Sequence, residues 1–163
     1  MLAFSQLGNA GILVLAIIAT ITLSFKRHRR DAVIFLSILI VGIGLNLALK
    51  STFVRPRPSL DPLVIEQSYS FPSGHAMNST IFYASLAYFV FRRIRHQRVR
   101  QLLLVGCIGV IGLIGVSRVY LGVHYPSDVL AGYAIGFLWF IMVLLFSRML
   151  RFFWLFRSYR ANQ

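Results

Sequence analysis

Two histidines, His75 and His124, one carboxylate, Asp128, and three cations, Lys50, Arg57 and Arg118, stand at the ends of apolar segments in a chain of 163 residues. Together with the Ser73-Gly74 pair they are the parts needed to hold a phosphate and move it onto an imidazole. Phosphoryl transfer asks a protein mainly for positioning and for stabilisation of charge on the equatorial oxygens. Arg57 and Arg118 can each present a planar fork to two phosphate oxygens, and Lys50 adds a compact charge. Pro58 stiffens the chain directly after Arg57.

In Pro72-Ser73-Gly74-His75 small residues precede a predicted helix. Backbone N–H groups at its start can point at an anion, Gly74 lets the backbone approach closely, and Ser73 adds a hydroxyl. His75 then falls on the first turn, beside the same anion. His124 and Asp128 are four residues apart around Pro126, a residue suited to the first helical position. That spacing predicts a carboxylate receiving the imidazole N–H, which leaves the other ring nitrogen free as a nucleophile.

Two imidazoles and a carboxylate would also suit zinc or iron. Three cations around a divalent metal are electrostatically unfavourable, whereas around a phosphate dianion they are favourable, so no metal and no cofactor is expected. His28 and His96 lie among arginines and read as solvated loop residues; Asp61 and Glu66, in the cap segment before Pro72, could tune which headgroups enter, with ordinary loop solvation the favoured reading. Trp139 reads as helix packing.

The elements that must position these groups are apolar. The sequence is 58% hydrophobic with only 13% charged residues, and its apolar runs approach the roughly 20 residues that a helix needs to cross a bilayer. Five helical segments are predicted, over residues 7–25, 32–49, 76–91, 102–116 and 129–150. The expected fold is therefore all-α, a polytopic transmembrane bundle of about five spanning helices forming one domain over residues 1–163. The third and fourth segments are short for a span, so their ends are expected to continue as buried polar turns. The segment from Arg55 to Pro72 holds four of the five prolines and should form an irregular cap between the second and third helices.

A net charge of +13 raises nucleic acid as a partner, but its placement argues against one. Thirteen of the seventeen Lys and Arg fall in three blocks, Lys26 to Arg30, Arg92 to Arg100 and Arg148 to Arg160, as alternate cytoplasmic loops would require. Anionic lipid headgroups are the better partners for them. With the blocks inside, the N-terminus and all three motifs lie outside a plasma or inner membrane and the C-terminus is cytoplasmic. The remaining cations are Lys50, Arg55, Arg57 and Arg118, and binding an anion is a reason for three of these to break the charge rule. Cys107 is the sole cysteine, so no intramolecular disulfide forms. Lys26 follows the first apolar run, contrary to a cleavable signal peptide. Glycines at 106, 109, 112 and 115, and at 132 and 136, suggest close helix approach.

Lys50 with Arg57-Pro58 after six intervening residues, Pro72-Ser73-Gly74-His75, and Ser117-Arg118 with five residues to His124 and three more to Asp128 resemble the motifs of the type 2 phosphatidic acid phosphatase family. The resemblance covers residues 50–128. It implies His124 as the nucleophile of a phosphohistidine intermediate, Asp128 as its orienting partner and His75 as the acid for the leaving oxygen and later the base for water. It implies Lys50, Arg57, Ser73, Gly74 and Arg118 as phosphate-binding residues, with no metal. Membrane members of the family are usually drawn with six helices, and the first is the one without a counterpart here. The expected activity is removal of phosphate from a phospholipid or from a polyprenyl carrier such as undecaprenyl diphosphate. A lipid phosphotransferase using the same site is an alternative, and a non-enzymatic anionic-lipid transporter is another, disfavoured by the uninterrupted apolar middle of each span.

Overall fold

The computed structural model describes residues 10–25, 28–59, 63, 64 and 66–161. Five helices follow one another among them: α1 (Ala10–Phe25), α2 (Arg29–Phe53), α3 (Gly74–Phe91), α4 (Gln97–Tyr120) and α5 (Pro126–Ala161). No strand occurs in the described residues. Residues 7–9 of the first expected segment, Lys26, Arg27 and Asp61 lie outside the described residues, as do the side chains beyond Phe153.

Three helices, α2, α4 and α5, are long and apolar enough to cross a membrane. Their outward faces carry large apolar side chains, with Ile40 64%, Leu102 73% and Leu138 67% exposed. Water would not tolerate that much continuous apolar surface, so it marks the face turned to lipid. α4 runs over 24 residues, longer than the segment expected from its apolar middle, because its polar first turns and Ser117 and Arg118 are helical too. Lys50 likewise sits in the last turns of α2 and not in the cap.

α3 is short for a different reason. It is the central helix, packed by α2, α4 and α5, with Met77, Ile81, Phe82 and Phe89 buried in the core together with Phe35 and Ile38 of α2 and Ile114 of α4. A helix surrounded by protein does not need an apolar exterior, so it accommodates Ser79 and Thr80, whose hydroxyls donate to the Ala76 carbonyl at 3.0 and 2.8 Å. Trp139 on α5 ties the outer layer to α2 by donating its indole N–H to the Ile38 carbonyl at 2.9 Å.

The glycines divide sharply. A Cβ on Gly132 would lie 2.8 Å from the Ser73 carbonyl oxygen and one on Gly136 2.7 Å from that of Met77, so these two seat α5 directly on the backbone of α3. Gly115 makes room for the Tyr133 side chain, whose hydroxyl donates to the Ile111 carbonyl at 2.9 Å. A Cβ on Gly106, Gly109 or Gly112 would meet no neighbouring helix within 4 Å, so the expected close approach along that row is confined to Gly115.

Candidate active site

The site lies where the C-terminal ends of α2 and α4 meet the N-terminal ends of α3 and α5. Lys50 comes from α2, Arg118 from α4, Ser73 to His75 from the start of α3, and Asp128 from the first turn of α5. α2 stops at Val54, whose φ of 46° and ψ of 33° put a β-branched residue in the left-handed region, a conformation that ends a helix abruptly. The chain then runs as the extended Arg55–Pro58 segment across the site.

The Ser73 side chain caps α3 by accepting from the Ala76 N–H, and the Ser73 N–H donates to the Asp128 carbonyl at 3.0 Å, so the starts of α3 and α5 are locked together. The Phe71–Pro72 peptide bond is cis. Gly74 faces α2 closely: a Cβ there would lie 2.9 Å from Asn46 Oδ1 and 3.8 Å from the Lys50 side chain. Pro126 opens α5 at the position expected for it.

Arg57 is held from several sides. Its Nε donates to the Ser68 carbonyl at 2.6 Å, and its Nη1 donates to the Val123 carbonyl at 2.7 Å and faces His124 Nε2 at 3.3 Å. A guanidinium only donates, so Nε2 of His124 is the lone-pair nitrogen and Nδ1 carries the proton. His124 is buried. Burial pushes its pKa down, and Arg57, Lys50, Arg118 and His75 push it further, to about 2. The imidazole is therefore neutral.

The other side of that ring differs from expectation. His124 Nδ1 lies 3.7 Å from Asp128 Oδ2, beyond hydrogen-bond range. Ser70 stands between them, its hydroxyl donating to Asp128 Oδ2 at 2.5 Å and lying 3.4 Å from His124 Nδ1. Asp128 is also held by Arg55, which donates to Oδ1 at 2.6 Å, and by the Tyr125 N–H, which donates to Oδ2 at 3.0 Å. Arg55 donates to Ser127 as well and lies over the Tyr125 ring, 4.3 Å from its centroid.

Lys50 donates to the Tyr69 carbonyl. Arg118, almost fully buried, and Arg57 both bind the carboxylate of Glu66, the latter at 2.7 Å. Burial alone would raise the Glu66 pKa, but Arg118 and Arg57 override it and hold the carboxyl below its usual range. His75 shares this neighbourhood, interacting electrostatically with Arg118, Glu66, Arg57 and Lys50.

The expected residues Lys50, Arg57, Ser73, Gly74, His75, Arg118, His124 and Asp128 thus surround one space. Arg55, Ser70 and Glu66 join them; Arg55 was marked only as a cation outside the basic blocks, Glu66 only as a cap carboxylate, and Ser70 by nothing in the sequence. His28 and His96 are exposed at the N-caps of α2 and α4. Among the described residues, no three His, Cys, Asp or Glu side chains are grouped as metal ligands.

The family model for the PAP2 superfamily matches residues 31–152. Phosphatidylglycerophosphatase B of Bacillus subtilis is 38% identical over 148 residues, which cover 88% of this chain and 71% of that protein. Undecaprenyl-diphosphatase of Sulfolobus acidocaldarius is 29% identical over 127 residues, 73% of this chain and 56% of that protein. Among solved structures, a transmembrane PAP2-type phosphatidylglycerolphosphate phosphatase from Bacillus subtilis superposes with a TM-score of 0.84 at 35% identity, covering 91% of this chain and 75% of that one.

Proposed function

The chain belongs to the PAP2 superfamily and is a membrane lipid phosphatase of that family, and we propose that it removes the phosphate of a phospholipid monoester or a polyprenyl diphosphate through a phosphohistidine on His124. The observation that carries this reading is the lone pair of His124 Nε2 facing Arg57, with Lys50 and Arg118 as neighbouring cations. A phosphate seated on those cations would present its phosphorus to that nitrogen.

In the first step His124 Nε2 bonds to phosphorus while the bond to the ester or anhydride oxygen breaks, and His75, whose pKa of about 4 set by burial and Arg118 rises when the bound dianion offsets the cations, supplies the proton that the leaving oxygen takes. Developing charge on the equatorial oxygens falls to Arg57, Arg118, Lys50 and the N–H groups at the start of α3. In the second step His75 takes a proton from water, the hydroxide bonds to phosphorus, and the phosphorus–Nε2 bond breaks to release phosphate. Proton traffic and charge stabilisation are both supplied by side chains, so the reaction needs no metal.

The similarity to a phosphatidylglycerophosphatase and to an undecaprenyl-diphosphatase supports a glycerophospholipid monoester or a polyprenyl diphosphate as substrate. The basic residues Arg92, Arg93 and Arg148 lie at the end of the bundle opposite the site, which supports an outward-facing site by the positive-inside rule. Phosphate release by the purified protein in detergent with EDTA, on phosphatidate, phosphatidylglycerophosphate and undecaprenyl diphosphate, tests the reading. Release should persist in EDTA and vanish in His124→Ala. Turnover by that variant would end the nucleophile assignment, and loss in EDTA restored by a divalent ion would end the metal-free one.

A further inference from the structure

We propose that Glu66 is a built-in occupant of the phosphate seat, a carboxylate that competes with substrate for Arg57 and Arg118. The proposal rests on the reading of those two arginines as partners of the substrate phosphate.

Glu66 binds Arg57 through Oε2 and Arg118 through Oε1. Each guanidinium thus receives one oxygen of a shared anion, the arrangement in which two phosphate oxygens would bridge them. Nothing local dictates the contact, since Arg118 is 52 residues away in sequence and belongs to the end of α4. The exposures of the three side chains differ: Arg118 is 2% exposed, Arg57 14% and Glu66 25%. The carboxylate can turn out to water while the buried guanidinium stays in place.

The backbone on either side of Glu66 is pinned. The Leu63 N–H donates to the Leu121 carbonyl at 3.2 Å and the Ser70 N–H to the Arg55 carbonyl at 2.9 Å. Exchange between carboxylate and phosphate therefore requires rotation of one side chain, with the segment staying over the site. After turnover the same carboxylate is positioned to displace the product phosphate.

A lipid bilayer presents a high concentration of phosphodiester headgroups, each with one negative charge. An uncovered seat of three cations would attract them. A resident carboxylate lowers the apparent affinity for every anion by one factor, so a weakly held headgroup seldom displaces it, whereas a monoester or diphosphate held more tightly by its second charge still does. Where a competitor fills the seat about nine-tenths of the time, apparent affinity for the ligand falls about tenfold.

Isothermal calorimetry of the full-length protein in detergent, titrated with inorganic phosphate and with dimethyl phosphate, tests this. Glu66→Gln should bind phosphate about tenfold more tightly than the wild type, and dimethyl phosphate more tightly by the same factor. Glu66→Asp, too short to bridge both arginines, should fall between the two and serves if the glutamine variant does not fold. Equal or weaker phosphate binding by the variants would overturn the proposal, as would a gain confined to one of the two probes. Phosphate binding to neither wild type nor variant would instead overturn the assignment of the seat to Arg57 and Arg118.

Discussion

Asp128 reaches His124 through Ser70: the serine hydroxyl lies 2.5 Å from the carboxylate and 3.4 Å from Nδ1, while the carboxylate and the imidazole are 3.7 Å apart. The hydroxyl donates to Asp128 and presents its lone pair to the Nδ1 proton. The tautomer that exposes the Nε2 lone pair is thereby held by a relay of two side chains, with Arg55 and the Tyr125 N–H holding the carboxylate in turn.

Ser70→Ala removes the relay and leaves Asp128 with its other two partners. Loss of one such hydrogen bond is worth about 1.4 kcal/mol, so the rate of phosphohistidine formation should fall about tenfold, with substrate affinity nearly unchanged. Rapid-quench trapping of the phosphoenzyme measures this. An unaltered burst rate would mean that His124 is oriented by Arg57 and burial alone.

Acid should destabilise the protein through His124. Its pKa is about 2 in the folded chain against 6.5 ordinarily, the causes being burial first and then Arg57 and Lys50. Between those values the unfolded chain binds a proton that the folded chain refuses, so stability falls as pH drops below 6.5. The thermal midpoint of His124→Asn in detergent should decline less steeply from pH 7 to pH 4 than that of the wild type. Parallel slopes would show that the folded imidazole titrates normally.

Gly132→Ala should lose both stability and turnover, because its methyl group would meet the Ser73 carbonyl at 2.8 Å and the Ala76 Cβ at 3.0 Å. Neither neighbour is a flexible side-chain end, so overpacking of about 1–3 kcal/mol is expected, and the start of α3 would shift away from the site. Gly106→Ala, with open space around it, should be neutral or gain up to about 1 kcal/mol from helix propensity. Thermal unfolding and phosphate release of the pair give the comparison, and equal behaviour would refute the packing assignment.

Residue types with few other uses in an apolar chain made most of the site legible. Lys50, Arg57, Arg118, His124 and Asp128 stand out beside apolar runs, and Pro126 marks a helix start that the structure contains. Ser70 did not stand out, and Glu66 was visible only as a carboxylate that could tune headgroup entry, since a serine and a glutamate in a proline-rich loop have an adequate explanation in solvation. Arg55 was visible as a misplaced cation, but its partner Asp128 is 73 residues away, and periodicity carries no information about such pairs. The central position of α3 was hidden because a short helix with Ser79, Thr80 and Ser85 reads as a weak span. Only the surrounding helices explain why it needs no apolar exterior.

Lys50, Arg118 and Asp128 each sit at the end of a different lipid-facing helix, and His75 on the helix they enclose. Each helix can insert in the bilayer by itself, driven by its own apolar length. Insertion alone leaves the charged groups separated, so a chain that has entered the membrane without packing carries every motif and no catalyst. Activity requires the docking of α5 onto α3, which joins Asp128 to the start of the central helix, and phosphate release thereby doubles as a gauge of completed assembly.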